Sequence, residues 1–301
     1  MKLSAPELLL DTESQLGEGP AWDSVRGCLW WVDILAGRLH NYHPETGRDH
    51  FIELGQPLGC AAPCRSGRLL LGMKSGLAIT RQALGNTLNL DTTQLDWLAH
   101  PEPGLPNNRF NDGKCGPDGR FLAGTMDMKE KDPSGALYSL SPDGSLKTLK
   151  ADVRISNGLT WSPDFKTLYY IDTPTREIVA YEYDLVSGEI ANPRVVVKVP
   201  EEFGWPDGMT SDMDGRLWVA MWGGAALTVW DAEKARLLEK IDFPAKNITS
   251  CAFGGSQQNA LYVTSARIGL DAANLAAFPS SGGLFRLATN VQGMPTFVFG
   301  D

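Results

Sequence analysis

The chain has 301 residues, with Lys plus Arg at 27 and Asp plus Glu at 36, a formal net charge of −9. That balance excludes a nucleic-acid surface, whose phosphates select Lys and Arg, and offers no basic patch to a membrane. Charged residues at 21% and hydrophobic ones at 43% describe a globular chain that buries roughly 75% of its unfolded surface without a disulfide or metal staple.

The first thirteen residues hold one short apolar run, Leu8-Leu9-Leu10, closely followed by acids. This is too short for a signal peptide. No later stretch approaches the ~20 apolar residues of a membrane helix, so the expected compartment is the cytoplasm. Strand-like runs then recur after turn signals. They begin at Leu29, Leu69, Phe121, Leu168, Leu217 and Leu261, in steps of 40 to 52 residues. Pro117-Asp118-Gly119-Arg120 and Met213-Asp214-Gly215-Arg216 are typical of the turns before them. Further strands are expected at Arg38-Leu39-His40-Asn41-Tyr42, at residues 135–140 and at residues 178–183.

A period of 40–50 residues with several strands per unit is the pattern of a propeller blade. Six units predict an all-β protein, a single six-bladed β-propeller domain over residues 1–301. An open ring would leave unpaired edges, so Leu8-Leu9-Leu10 and Thr296-Phe297-Val298-Phe299 are expected to pair in the last blade. Residues 101–106 read as a long loop, and residues 271–278 as a loop with one helical turn. The five Cys are scattered and read as core residues. His40-x-x-His43 lies in a strand-like run and reads as surface.

Aligning the units on their first turn brings four residues into one register: Glu18, Asn111, Asn157 and Asp207. If these open the innermost strands, four oxygen-bearing side chains converge at one mouth of the channel. The Gly after three of them lets backbones crowd at the axis. Two carboxylates with carboxamide oxygens make a hard-oxygen site for a divalent cation, although Asn-Gly and Asp-Gly also read as turns. Arg109 stands two residues before Asn111, on the same strand face, as a donor to substrate oxygens. Trp205 and Trp222 flank the fifth unit's inner strand, as a stacking wall or as core. No G-x-S-x-G or H-E-x-x-H occurs, which leaves metal-assisted addition of water as the best-fitting chemistry.

Seven stretches resemble the SMP-30/gluconolactonase/LRE family: Gly17-Glu18-Gly19-Pro20-Ala21-Trp22, Asn108-Arg109-Phe110-Asn111-Asp112-Gly113-Lys114, Phe121-Leu122-Ala123-Gly124-Thr125-Met126, Gly135-Ala136-Leu137-Tyr138, Ile155-Ser156-Asn157-Gly158-Leu159, Pro206-Asp207-Gly208-Met209 and Gly282-Gly283-Leu284-Phe285. The resemblance implies a six-bladed propeller with one divalent metal on Glu18, Asn157 and Asp207, and substrate contacts from Arg109 and Asn111. In regucalcin-like members a carboxylate shortly after the Gly-Thr-Met segment lies near the substrate. Here Lys129 falls at that place, so that wall of the pocket departs from the family pattern.

The expected activity is hydrolysis of a small-molecule sugar lactone to its aldonic acid, with the metal as Lewis acid and Asp207 as general base. Ca²⁺ is the first choice of ion, with Zn²⁺, Mn²⁺, Mg²⁺ and Fe²⁺ as alternatives. Two other readings stand beside it: a metal-dependent hydrolase of other esters or organophosphates, and a non-enzymatic calcium-binding regulatory protein. No nucleic-acid or membrane partner is expected, and a closed propeller predicts a monomer.

Overall fold

A computed structural model describes residues 1–84, 90 and 92–301. It contains six four-stranded antiparallel sheets. Blade 1 runs Gly17–Asp23, Cys28–Asp33, Arg38–His43, Arg48–Glu53 from the axis outward. Blade 2 runs Leu58–Pro63, Leu69–Met73, Gly76–Thr80, Leu95–Ala99. Blade 3 is Asn108–Cys115, Phe121–Asp127, Gly135–Leu140, Leu146–Val153, and blade 4 is Ser156–Trp161, Thr167–Asp172, Glu177–Tyr183, Ile190–Lys198. Blade 5 is Trp205–Ser211, Leu217–Trp222, Ala226–Asp231, Arg236–Asp242. Blade 6 takes Asn247–Gly254, Ala260–Ala266 and Leu284–Ala288, and its outermost strand is Glu7–Leu10 from the other end of the chain. The six repeated runs of the sequence are the second strands. The turn expected within residues 271–278 is a short helix, Ala272–Ala277, whose N-cap Asp271 accepts from Asn274 N.

Apolar clusters fill the space between adjacent blades. Trp30, Leu39, Leu58 and Leu71 pack between blades 1 and 2, and Trp218, Leu227, Phe253 and Phe285 between blades 5 and 6. The five Cys are free and buried, as their scatter suggested. The turns between first and second strands are fastened by buried acids. Asp212 is fully buried and accepts from Arg216 Nε at 2.7 Å, Trp218 Nε1 at 2.8 Å, and the backbone N of Asp214 and Arg216 at 3.0 Å. Asp23 does the same in blade 1, with Arg26 Nη1 at 2.6 Å and Trp30 Nε1 at 3.2 Å.

Two expectations are corrected. Residues 296–299 do not pair with Leu8-Leu9-Leu10. Glu7–Leu10 lies against Leu284–Ala288 and so occupies the edge that the tail was expected to share. The tail instead crosses the far mouth of the channel. Met294 N bonds Ser211 O at 3.0 Å, Phe299 N bonds Pro63 O at 2.9 Å, and Gly300 N bonds Gly119 O at 3.0 Å. Phe297 meets Trp161 edge-on at 6.5 Å. His40 is not a surface residue. It is 3% exposed, stacks on Trp31 at 3.8 Å, and its Nδ1 lies 2.7 Å from Asp49 Oδ2.

Candidate functional site

In every blade, the pairing of the innermost strand with the second strand slips at one place. The slips fall between Glu18 and Ala21, Leu58 and Cys60, Phe110 and Gly113, Asn157 and Leu159, Pro206 and Met209, and Ile248 and Ser250. A bulge breaks the two-residue alternation and re-aims side chains. Here it turns Glu18, Asn111, Asn157 and Asp207 to the floor of one cavity of about 540 Å³, with Arg109 beside them. The glycines that follow Asn157 and Asp207 permit the crowding. A Cβ on Gly158 would stand 2.6 Å from Asp207 O, and one on Gly208 would stand 2.2 Å from Ser250 Oγ.

All five side chains are buried. A hydrogen-bond chain fixes the orientation of Arg109, Asn111 and Asn157 across three blades. Arg109 Nη1 donates to Asn111 Oδ1 at 2.5 Å, and Asn111 Nδ2 donates to Ser156 O at 2.8 Å and Asn157 Oδ1 at 3.1 Å. Asn157 Nδ2 donates to Thr173 Oγ1 at 2.8 Å, whose hydroxyl donates onward to Pro206 O at 2.8 Å. Thr173 has spent its proton on Pro206, so it can only accept from Asn157. The Asn157 amide is therefore locked with its oxygen toward Asn111 and the site. Thr173 carries no sequence signal for this role, because it depends on the meeting of blades 4 and 5.

The electrostatics are unusual for a protein interior. Burial, reinforced by nearby Asp112, pushes the Glu18 carboxyl up to about 8. Burial and the adjacent Glu18 hold Asp207 well above the usual carboxylate range. Each receives one backbone hydrogen bond, Glu18 from Gly19 N at 2.9 Å and Asp207 from Gly208. Burial lowers Arg109 to about 10, opposed by Glu18, Glu130 and Asp207. Its Nε has no partner among the described residues.

Deeper in the channel lie Asp112 and Lys114, which line a chamber of about 40 Å³ closed below by the C-terminal tail. Lys114 Nζ donates to Met209 O at 2.8 Å. The sequence reading assigned these two no role. Strict alternation would point Asp112 away from Asn111, and the bulge defeats that rule.

The donor set fits a hard divalent cation. Two buried carboxylates repel one another, and a carboxamide oxygen is held beside them, which is the situation a dication relieves. Among the described residues no group of three His, Cys, Asp or Glu is gathered for a metal, and the third oxygen of this set is the amide of Asn157. On the wall above, Glu130 lines the cavity, and Lys129 does not. Glu130 N bonds Asp127 O at 2.9 Å, with Glu130 at φ 56°, and this tight turn brings the carboxylate one residue later than simple alignment places it.

Among the described residues, no helix is long and apolar enough to cross a membrane. A family model described as SMP-30/Gluconolactonase/LRE-like region matches residues 16–267. A Bacillus subtilis (strain 168) protein with the provisional name sugar lactone lactonase YvrE is 39% identical over 275 residues, 91% of each chain. Regucalcin of Xenopus laevis is 36% identical over 97% of each chain. A solved Agrobacterium tumefaciens structure, described as a calcium-binding protein, regucalcin, superposes with a TM-score of 0.90 at 31% identity, covering 98% of this chain and 97% of that one. By sequence, fold and the stretches that build its channel mouth, the chain belongs to the SMP-30/gluconolactonase/LRE-like family.

Proposed function

We propose that the chain is a lactonase that opens a sugar lactone to its aldonic acid with the help of a divalent cation. The observation that supports this most is the meeting of Glu18, Asn157 and Asp207 with Arg109 and Asn111 on one cavity floor. The name carried by the Bacillus relative supports a lactone-opening hydrolase, and the description of the Agrobacterium structure as a calcium-binding protein supports a cation site. Glu18, Asn157 and Asp207 would hold the cation, with Ca²⁺ the first choice. When bound it supplies Lewis acidity toward the carbonyl and the water. Asp207 takes a proton from the attacking water and returns it to the ring oxygen as the acyl C–O bond breaks, which yields the hydroxy acid. Arg109 and Asn111 orient the substrate by its hydroxyl groups.

The direct test is acid release in a pH-stat over a panel of aldonolactones, with stripped protein reloaded with Ca²⁺, Mg²⁺, Mn²⁺, Zn²⁺ or Fe²⁺. No acid from any aldonolactone with any ion removes the reading. A phosphotriester in the same panel tests the broader hydrolase.

Two expected outcomes follow from the donor set. Cation at a hundredfold excess over Kd raises unfolding stability by about 2.7 kcal/mol. Glu18→Gln loses that rise at the same ion concentration while its far-UV circular dichroism stays unchanged. A cation-dependent Tm rise that survives in Glu18→Gln would remove Glu18 from the ligand set. For Arg109→Ala, KM rises by about 10- to 100-fold, the scale of charged hydrogen bonds, and kcat falls less. Bonds to hydroxyls are made equally in ground and transition states and act on KM. Steady-state kinetics with constant KM and reduced kcat would place Arg109 on the reacting carbonyl instead.

A further inference from the structure

The polar floor accounts for only the lower part of the cavity. Much of its rim is apolar: Met128, Trp205 and Ile268 keep 37%, 39% and 41% of their surface exposed, and all three line this one cavity. Trp222 and Leu35, partly buried, continue the same surface. The charged rim groups, Glu130 and Arg154, stand on blade 3 and on its link to blade 4. The arc from blade 5 through blade 6 to blade 1 is thus Trp205, Trp222, Ile268 and Leu35, with no charge among the lining residues above the floor.

This arc is built rather than incidental. Trp205 and Trp222 are register partners on adjacent strands. The Arg176 guanidinium lies 3.6 Å from the centre of the Trp205 ring, with its Nη1 on Gly204 O at 2.6 Å, so the indole is held in place from one side. Exposed apolar side chains scattered singly need no explanation, but grouped at a cavity mouth they mark a binding surface. Aldonolactone hydroxyls have nothing to gain from Ile268, Leu35 or Met128. A volume of about 540 Å³ lies within the range of pockets for drug-sized ligands, which leaves room for a group beyond the ring.

We infer that the lactone opened here carries a hydrocarbon arm, which lies on the Trp205–Trp222–Ile268–Leu35 wall while its ring sits on the floor. This rests on the lactonase reading above and narrows it. The arm has two possible sources, an alkyl side chain on the lactone ring or an acyl group on a sugar-lactone hydroxyl.

The experiment measures kcat/KM of the cation-loaded protein over two series. One is γ-butyrolactone and its γ-methyl, γ-propyl and γ-pentyl derivatives. The other is glucono-δ-lactone and its 6-O-acetyl, butanoyl and hexanoyl esters, with opening of the ring followed separately from loss of the acyl group. The expected result is a rise of about two- to fourfold per methylene, fourfold corresponding to complete burial, and a markedly shallower rise in Trp205→Ala. Trp205 is half-exposed, so this variant is expected to fold, and circular dichroism checks it. A slope in one series alone identifies the source of the arm. Flat profiles in both series, with any member opened, overturn the hydrocarbon arm and leave the lactonase reading standing. If no member is opened, the aldonolactone panel above decides the lactonase reading, and calorimetric binding of 2-alkylcyclopentanones decides the wall by itself. Affinity that rises with chain length and is lost in Trp205→Ala supports hydrocarbon recognition, and affinity indifferent to chain length overturns it.

Discussion

Asp207→Asn is expected to lower kcat by about 10²–10⁴-fold, the usual cost of removing a general base, at equal cation occupancy. The amide keeps an oxygen for the cation but takes no proton from water near neutral pH. Asp207 and Glu18 share the cavity floor, and each accepts one backbone hydrogen bond, from Gly208 and Gly19 respectively, so each leaves room for a water. Occupancy must be measured by elemental analysis, because loss of the cation would imitate loss of the base. Asn157→Asp supplies the contrast, since it keeps an oxygen ligand and adds a third carboxylate, so partial activity is expected. If fully loaded Asp207→Asn keeps more than about a tenth of the wild-type kcat, a loss smaller than the ~10²-fold minimum expected for a base, Asp207 serves as a ligand only and Glu18 becomes the next candidate.

Asp212→Ala is expected to cost roughly 3–5 kcal/mol of stability, the scale for breaking a buried ion pair by removing one partner. The change strands Trp218 Nε1, which sits in the core between blades 5 and 6, and unpairs Arg216. It also releases the turn held by the Asp214 and Arg216 amides. At about 2–4 °C per kcal/mol, Tm falls by roughly 6–20 °C. Differential scanning calorimetry reads the shift. A loss under about 1 kcal/mol, the net worth of one ordinary hydrogen bond, would mean that water replaces the carboxylate in the turn. Asp212 lies far along its strand from Asp207, at the other end of Trp205–Ser211, so KM in the folded variant is expected to stay near wild type.

The repeat was legible because its signals are local. A turn such as Met213-Asp214-Gly215-Arg216 and the run Leu217-Trp218-Val219-Ala220 specify a hairpin whatever surrounds them. Six such hairpins at 40–52 residue steps leave little choice of architecture. The register of Glu18, Asn111, Asn157 and Asp207 was readable for the same reason, since each stands a fixed distance before its turn. Ring closure then brings those four residues to one floor.

What the tertiary structure alone decided depends on neighbours distant in sequence. Residues 296–299 are β-branched and aromatic like a strand, but the edge they were expected to share is taken by Glu7–Leu10, so they strap the channel's far mouth. His40 has the spacing of a surface residue and is buried because Trp31 and Asp49 meet it across two strand pairings. Asp112 and Lys114 reach the channel because a bulge cancels the alternation by which a strand is read. Glu130 reaches the cavity because a turn with a left-handed residue shifts the carboxylate by one position. Local sequence determined which residues form hairpins and which stand at their openings. Bulges, edge competition and packing between blades determined where their side chains point, since each is settled by the free energy of contacts that no single segment contains.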